Sequence, residues 1–186
     1  DWMISSANTG TAATINFSNI ENISGNATTD TITTRTPIIW TITGENEGLS
    51  DVIAFSGIDV IIGAGDTING ADAITDWTID DDNAVTASGI AFSNVDVVMT
   101  GTSIDTVAGT TSPTTWVIVN DNRIQVNGID FSNIEEVDGL AELDIVTGIN
   151  SATTWALNSN KAVTANAIVF TGIDEVVAGD NIDTVT

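Results

Sequence analysis

The sequence predicts an all-β fold, a parallel β-solenoid that runs as a single repeat domain from residue 1 to residue 186. Three observations carry that prediction. Five tryptophans, Trp2, Trp40, Trp77, Trp116 and Trp155, are each followed at one constant interval by a phenylalanine, at Phe17, Phe55, Phe92, Phe131 and Phe170. β-Branched residues dominate, Gly, Asn, Asp and Thr interrupt every few positions, and no 3.6-residue apolar stripe runs far enough for a helix. The repeats, roughly 37–39 residues long, also divide near their middle. The acid that follows the Phe motif stands about halfway from one Trp to the next, as Asp96 does between Trp77 and Trp116. Self-similarity at a regular period marks stacked architectures, and a half-repeat of about 20 residues suits one coil, so the reading is two coils per repeat.

Each repeat opens on an alternating strand, Trp-x-Ile or Trp-x-Leu, as in Trp77-Thr78-Ile79. A second short strand, such as Ile90-Ala91-Phe92, ends at the Phe. There follow Ser or Thr, Asn or Gly, Ile or Val, and an acid, as in Phe17-Ser18-Asn19-Ile20-Glu21. Asn and Gly tolerate a left-handed backbone best, so this position predicts a tight corner between strands. The repeat closes on Asp30, Asp66, Asp105, Asp144 or Asp183, which four times in five begins Asp-Thr-Ile or Asp-Thr-Val. Ten coils at roughly 4.8 Å would give a rod about 45 to 50 Å long. Its core ladder is expected to hold the five Trp and five Phe side chains with Ile and Val, and its crossovers to make a right-handed β-helix. Five units of this length also suit a five-bladed β-propeller, which is the alternative.

Twenty-six acidic residues stand against Lys161, Arg35 and Arg123, for a net charge of −23. Nothing here could neutralise a row of phosphates, which excludes nucleic acid and anionic membrane as partners and leaves cations as the small ones. Cysteine, histidine and tyrosine are absent, which removes thiol and imidazole nucleophiles and the common transition-metal sites. A β-helix lyase or glycosidase needs one privileged set of carboxylates, whereas these recur with the repeat, so the chain is not read as an enzyme. Stacked in register, Asp30, Asp66, Asp105, Asp144 and Asp183 form a column. Two readings stay open for it: a row of Ca2+ sites built from carboxylate and carbonyl oxygens, or side chains that accept hydrogen bonds from backbone N–H groups. Asp80-Asp81-Asp82-Asn83 is either a cation chelate or a solvated loop tip. The tryptophans are core fillers or sugar-stacking platforms, and Thr41 and Thr78 could belong to a flat hydroxyl ladder.

Phe-Ser-Asn-Ile-Glu, followed by Gly and Asp-Thr-Val, resembles the tandem repeats of giant bacterial surface and secreted proteins of the filamentous haemagglutinin-like or large adhesin type. The likeness covers essentially the whole chain. It implies an extracellular or bacterial cell-surface location, a role in cell adhesion as a stiff stalk or matrix fibre, and Ca2+ as the bound ion. Gly63-Ala64-Gly65-Asp66-Thr67-Ile68 approaches the calcium β-roll pattern, but Gly101-Thr102-Ser103-Ile104-Asp105 lacks its glycine pair. The expected function is therefore a structural, secreted acidic rod. The alternative is a calcium-dependent or carbohydrate-binding module for a cell-surface or matrix glycan. Neighbouring repeats are the expected partners. No capping element stands at Asp1 or Thr186, so exposed end strands and end-to-end self-association are expected as well.

Overall fold

Short runs that alternate apolar with polar residues, bounded by Asn, Gly or Asp, favour short half-buried strands. The computed structural model describes residues 1–6, 8–140 and 143–186, and strands are the only regular elements among them. Repeat one holds β1 (Trp2–Ser6), β2 (Thr9–Ala12), β3 (Ile15–Ser18), β4 (Asn22–Ser24) and β5 (Thr31–Thr34). Repeat two holds β6 (Ile39–Gly44), β7 (Glu47–Ser50), β8 (Ile53–Ser56) and the long β9 (Val60–Asn69). Repeat three holds β10 (Asp76–Asp81), β11 (Ala84–Ala87), the long β12 (Ile90–Met99) and β13 (Thr106–Ala108). Repeat four holds β14 (Thr115–Asn120), β15 (Arg123–Val126), β16 (Ile129–Ser132), β17 (Glu136–Asp138) and β18 (Ile145–Thr147). Repeat five holds β19 (Thr154–Ser159), β20 (Ala162–Ala165), β21 (Ile168–Thr171), β22 (Glu175–Val177) and β23 (Thr184–Val185).

The first three strands of every repeat form an antiparallel meander, as β10–β11–β12 with Ile79 opposite Val85 and Val85 opposite Phe92. In repeats three to five its second turn carries two left-handed residues, such as Asn127 (φ 46) and Gly128 (φ 79), the pair that a type I′ hairpin requires; repeats one and two have one each, Ala13 and Asp51. The corner after each Phe is left-handed in all five repeats, at Asn19 (φ 56), Gly57 (φ 63), Asn94 (φ 56), Asn133 (φ 64) and Gly172 (φ 71). Beyond the corner, pairing is parallel and joins positions most of a repeat apart, for example Trp77 with Val107 and Val107 with Val137.

These pairings sort the strands into two interleaved ladders. The first runs β3–β2–β1–β5, then through the first halves of β9 and β12, then β11–β10–β13–β17–β21–β20–β19–β23. The second runs β4–β8–β7–β6, through the second halves of β9 and β12, then β16–β15–β14–β18–β22. They are the two walls of a flattened solenoid of about six turns. Inward side chains of both walls form one cluster, in which Trp77 of the first meets Phe131 of the second edge-on at 6.4 Å between ring centroids.

Two details depart from the sequence reading. The ladders end openly at β3 and β23, and at β4 and β22, so the five repeats form no ring and the propeller is excluded. A coil takes about 30 residues rather than about 20, because each repeat places three strands in one wall before crossing. The longer ladder has fourteen rungs among the described residues, which at ~4.8 Å per rung gives a rod about 60 Å long.

Candidate functional site

The polar positions that repeat are gathered at the two edges where the chain crosses between walls. Asp66 is fully buried and accepts four hydrogen bonds: from the Trp40 indole Nε1 at 2.6 Å, Ile38 N–H at 3.0 Å, Ala64 N–H at 3.2 Å and the Thr34 hydroxyl at 3.2 Å. The equivalent aspartates make the same bond two positions before their own Trp. Asp105 accepts from Thr75 N–H at 2.8 Å, Asp144 from Thr114 N–H at 2.7 Å and Asp183 from Thr153 N–H at 2.8 Å. Asp30 accepts from Asn26 N–H instead. Asp30, Asp105 and Asp144 are buried, and Asp183 is half-buried. Each carboxylate from Asp66 onward thus ties the start of a Trp strand to the parallel strand beside it. N–H donors directed at an oxygen repel a cation, and among the described residues no three acidic side chains converge as metal ligands would.

Trp40, Trp77, Trp116 and Trp155 are buried to within 1% of fully, and Trp2 is half-buried. Phe55, Phe92, Phe131 and Phe170 are buried too, while Phe17 is half-buried on β3. In register, each Trp lies beside an Ile or Val of its own repeat; in the first three repeats that residue lies beside one from the next repeat, and that one beside a Phe from the repeat after. Trp2–Ile32–Ile61–Phe92 and Trp77–Val107–Val137–Phe170 are two such rows. The Trp rings sit against glycine: a Cβ added at Gly148 would lie 2.7 Å from the Trp155 ring. Of the four fully buried indoles, Trp40 alone has an evident acceptor. Nε1 of Trp77, Trp116 and Trp155, and Oδ2 of Asp105 and Asp183, are buried without a partner.

Because successive repeats begin on opposite walls, the aspartates alternate between the two edges instead of forming the single column expected from the sequence. Each edge also contains a second repeating device, which the sequence reading overlooks; Asn83, for example, bonds the carbonyl of Val95, the residue paired with Asp66. Asn8, Asn46, Asn83 and Asn122 each stand at the same place after a Trp, in left-handed conformation. Their side chains donate to the carbonyls of Ile20, Ile58, Val95 and Ile134, at 2.9 to 3.0 Å. Asn46 and Asn83 also reach Gly89 and Gly128 in the hairpin turn of the next repeat. The constant spacing from Trp was the available signal. In repeat five the position is Lys161, whose ammonium lies 2.6 Å from Asp174. The acids after the Phe corner bridge coils: Asp59, Glu135 and Asp174 accept from the backbone N–H groups of Asp30, Asp105 and Asp144.

Burial raises the Asp105 carboxyl above its ordinary value, opposed by the Thr75 N–H hydrogen bond and the nearby Thr100 hydroxyl and aided by Glu135 and Asp72. The Lys161 hydrogen bond lowers Asp174, and the Arg123 hydrogen bond lowers Asp130. Asp80, Asp81 and Asp82 are exposed and do not converge on one point: Asp80 accepts from the Thr86 hydroxyl and Asp81 from Asp82 N–H. Thr78 lies between Thr86 and Ala108, and Thr41 between Leu49 and Asn69, so the hydroxyl row is interrupted at once. The roomiest hollow described, about 530 Å³, opens on the outer wall and contains one carboxylate side chain, Asp1. Compared with protein-family models, curated proteins and solved structures, the chain matches none.

Proposed function

We propose that this chain is a structural spacer: a stiff, acidic rod that serves as stalk or matrix-fibre segment of a bacterial surface adhesin. One observation carries the reading. The polar groups that could do chemistry recur with the repeat, and they are already engaged in joining one rung to the next. Stiffness follows from stacking, because bending the rod would break inter-rung hydrogen bonds and part the Trp–Val–Val–Phe rows together. A net charge of −23 keeps such rods soluble and apart. Location outside the cell rests on the repeat resemblance, with which a cysteine-free chain is compatible. Aspartates directed at N–H donors favour a spacer over a calcium module.

Small-angle scattering from dilute protein tests the reading. A rod should show a maximum dimension of about 60 Å or more. A radius of gyration of about 16 Å with a spherical distance distribution, as for a compact domain of this length, would overturn it.

A further inference from the structure

The four fully buried tryptophans divide by the residue that backs them. Two positions past Ile32, Ile68, Val107 and Val146 stand Thr34, Gly70, Gly109 and Gly148, each just before the next Trp strand. A Cβ added at Gly70, Gly109 or Gly148 would lie 2.9, 3.0 or 2.7 Å from the ring of Trp77, Trp116 or Trp155. Rings that close could not lie over a threonine. Trp40 follows Thr34 instead, and its indole N–H reaches Asp66 Oδ2 at 2.6 Å, beside the Thr34 hydroxyl at 3.2 Å. The indole N–H groups of the three glycine-backed tryptophans have no partner in the protein.

The carboxylate is anchored alike in both arrangements. Ile38 N–H holds Oδ1 of Asp66, and Thr75 N–H holds Oδ1 of Asp105, in each case from two residues before the Trp. Oδ2 of Asp105 thus keeps the place that in Asp66 receives the indole, yet it has no partner. Trp77 and Asp105 are both 0% exposed, so neither Nε1 nor Oδ2 meets bulk solvent. The same two atoms are buried and unpartnered in Trp155 and Asp183. Thr100 stands beside Gly70 and near Asp105, but its hydroxyl proton is directed to the carbonyls of Asn133, at 2.7 Å, and Ser132, at 3.2 Å.

We propose that Trp77 with Asp105, and Trp155 with Asp183, each bind one structural water, which accepts from Nε1 and donates to Oδ2. The ligand class follows from the two groups. One gives a proton and the other takes one, so the ligand must do both and be small. A metal cation cannot accept from the indole, and an anion cannot sit against the carboxylate. At Trp77 the second water proton meets the Thr100 oxygen, which makes three bonds, the usual number for a buried water. Buried donors and acceptors left unmet are costly, and one water meets both. Thr or Gly at a single position thus selects a direct or a water-bridged bond between indole and carboxylate. The inference stands apart from the spacer reading, since it concerns only the inside of the stack.

A high-resolution crystal structure of the unaltered chain tests this. It should show a solvent peak within about 2.7–3.2 Å of both Trp77 Nε1 and Asp105 Oδ2, and none between Trp40 and Asp66. In solution, magnetisation transfer from water in the rotating frame separates dipolar contact from proton exchange by its sign. It should give a long-lived water contact at the indole N–H of Trp77 and Trp155 and none at Trp40. Thr34→Gly should convert Trp40 to the water-bridged form and add a water contact to its indole N–H. A direct indole–carboxylate bond at Trp77, no solvent between the two atoms, or a Trp77 indole without a water contact would overturn the proposal. A Trp40 that keeps its direct bond in Thr34→Gly would overturn the selecting role of that position.

Discussion

Replacing Asp66 by Ala should destabilise the rod far more than the same change at Asp30, although both residues occupy the same place in the repeat. Asp66 serves four donors. The Trp40 indole N–H is fully buried and would have no other acceptor, which costs about 1–3 kcal/mol. Ile38 and Ala64 N–H lie nearer the surface, where water can replace the carboxylate, so each loses about 0.5–1 kcal/mol. The Thr34 hydroxyl can rotate toward another acceptor and adds little. The total is about 2–5 kcal/mol, against about 1 kcal/mol for Asp30, which holds one loop N–H. Urea unfolding followed by tryptophan fluorescence measures both. Amide hydrogen exchange at Ile38 and Ala64 supplies a local readout, needed because repeat arrays open piecewise. The reasoning is refuted if the two variants differ by less than about 1 kcal/mol, or if protection at Ile38 and Ala64 survives in Asp66→Ala.

Trp40→Phe should cost about 1–2 kcal/mol more than Trp77→Phe in the same assay, since the first removes a short hydrogen bond to a buried carboxylate, leaving Asp66 Oδ2 with the Thr34 hydroxyl alone, and the second removes an indole N–H that had no protein partner. Asn83→Ala should lower stability by about 1–2 kcal/mol, through loss of the Val95 and Gly128 hydrogen bonds and the poor fit of Ala to a φ of 55°. The carboxyl of Asp105 is raised on folding, so the native chain binds its proton more tightly. Its contribution is therefore greatest at low pH and is lost as pH rises through the folded value. Asp105→Asn should flatten that part of a melting-temperature profile. Asp130 and Asp174 are lowered, so their contribution is present at neutral pH and lost as pH falls below the ordinary carboxylate value; Lys161→Ala should reduce that acid loss. Adding Ca2+ or a chelator should leave the melting temperature unchanged, which differential scanning calorimetry checks.

The period, the strands and the corner were legible because each depends on what single residue types tolerate. Only Asn or Gly suits the left-handed turn after Phe, and a Trp that opens an alternating strand belongs inside. Coil length was not legible. An antiparallel meander and a stack of parallel rungs show the same in–out alternation, so Asp76–Val85, which folds as a hairpin, and Asp59–Ile68, which crosses the walls in one long strand, align well as text. The decisive sign was Asn127-Gly128 between alternating apolar residues, a strong hairpin signal. The role of the aspartates was hidden for another reason. Asp144 and its donor Thr114 are far apart in the chain, and nothing in either local segment says they meet.

The mismatch between a repeat of roughly 38 residues and a coil of roughly 30 is what binds the rod together. Each repeat crosses between the walls three times, an odd number, so successive repeats begin on opposite walls. A row of core residues in one wall is consequently filled by three different repeats, as Trp77, Val107, Val137 and Phe170 come from the third, third, fourth and fifth. A coil equal in length to the repeat would stack each unit only on its immediate neighbours, and a fault at one junction could part the rod there. Here parallel pairings join one repeat to the next in both walls, as β13–β17 and β17–β21 do in one and β12–β16 in the other. Load applied along the axis is shared across junctions two repeats deep, which is the property a spacer requires and a binding pocket does not.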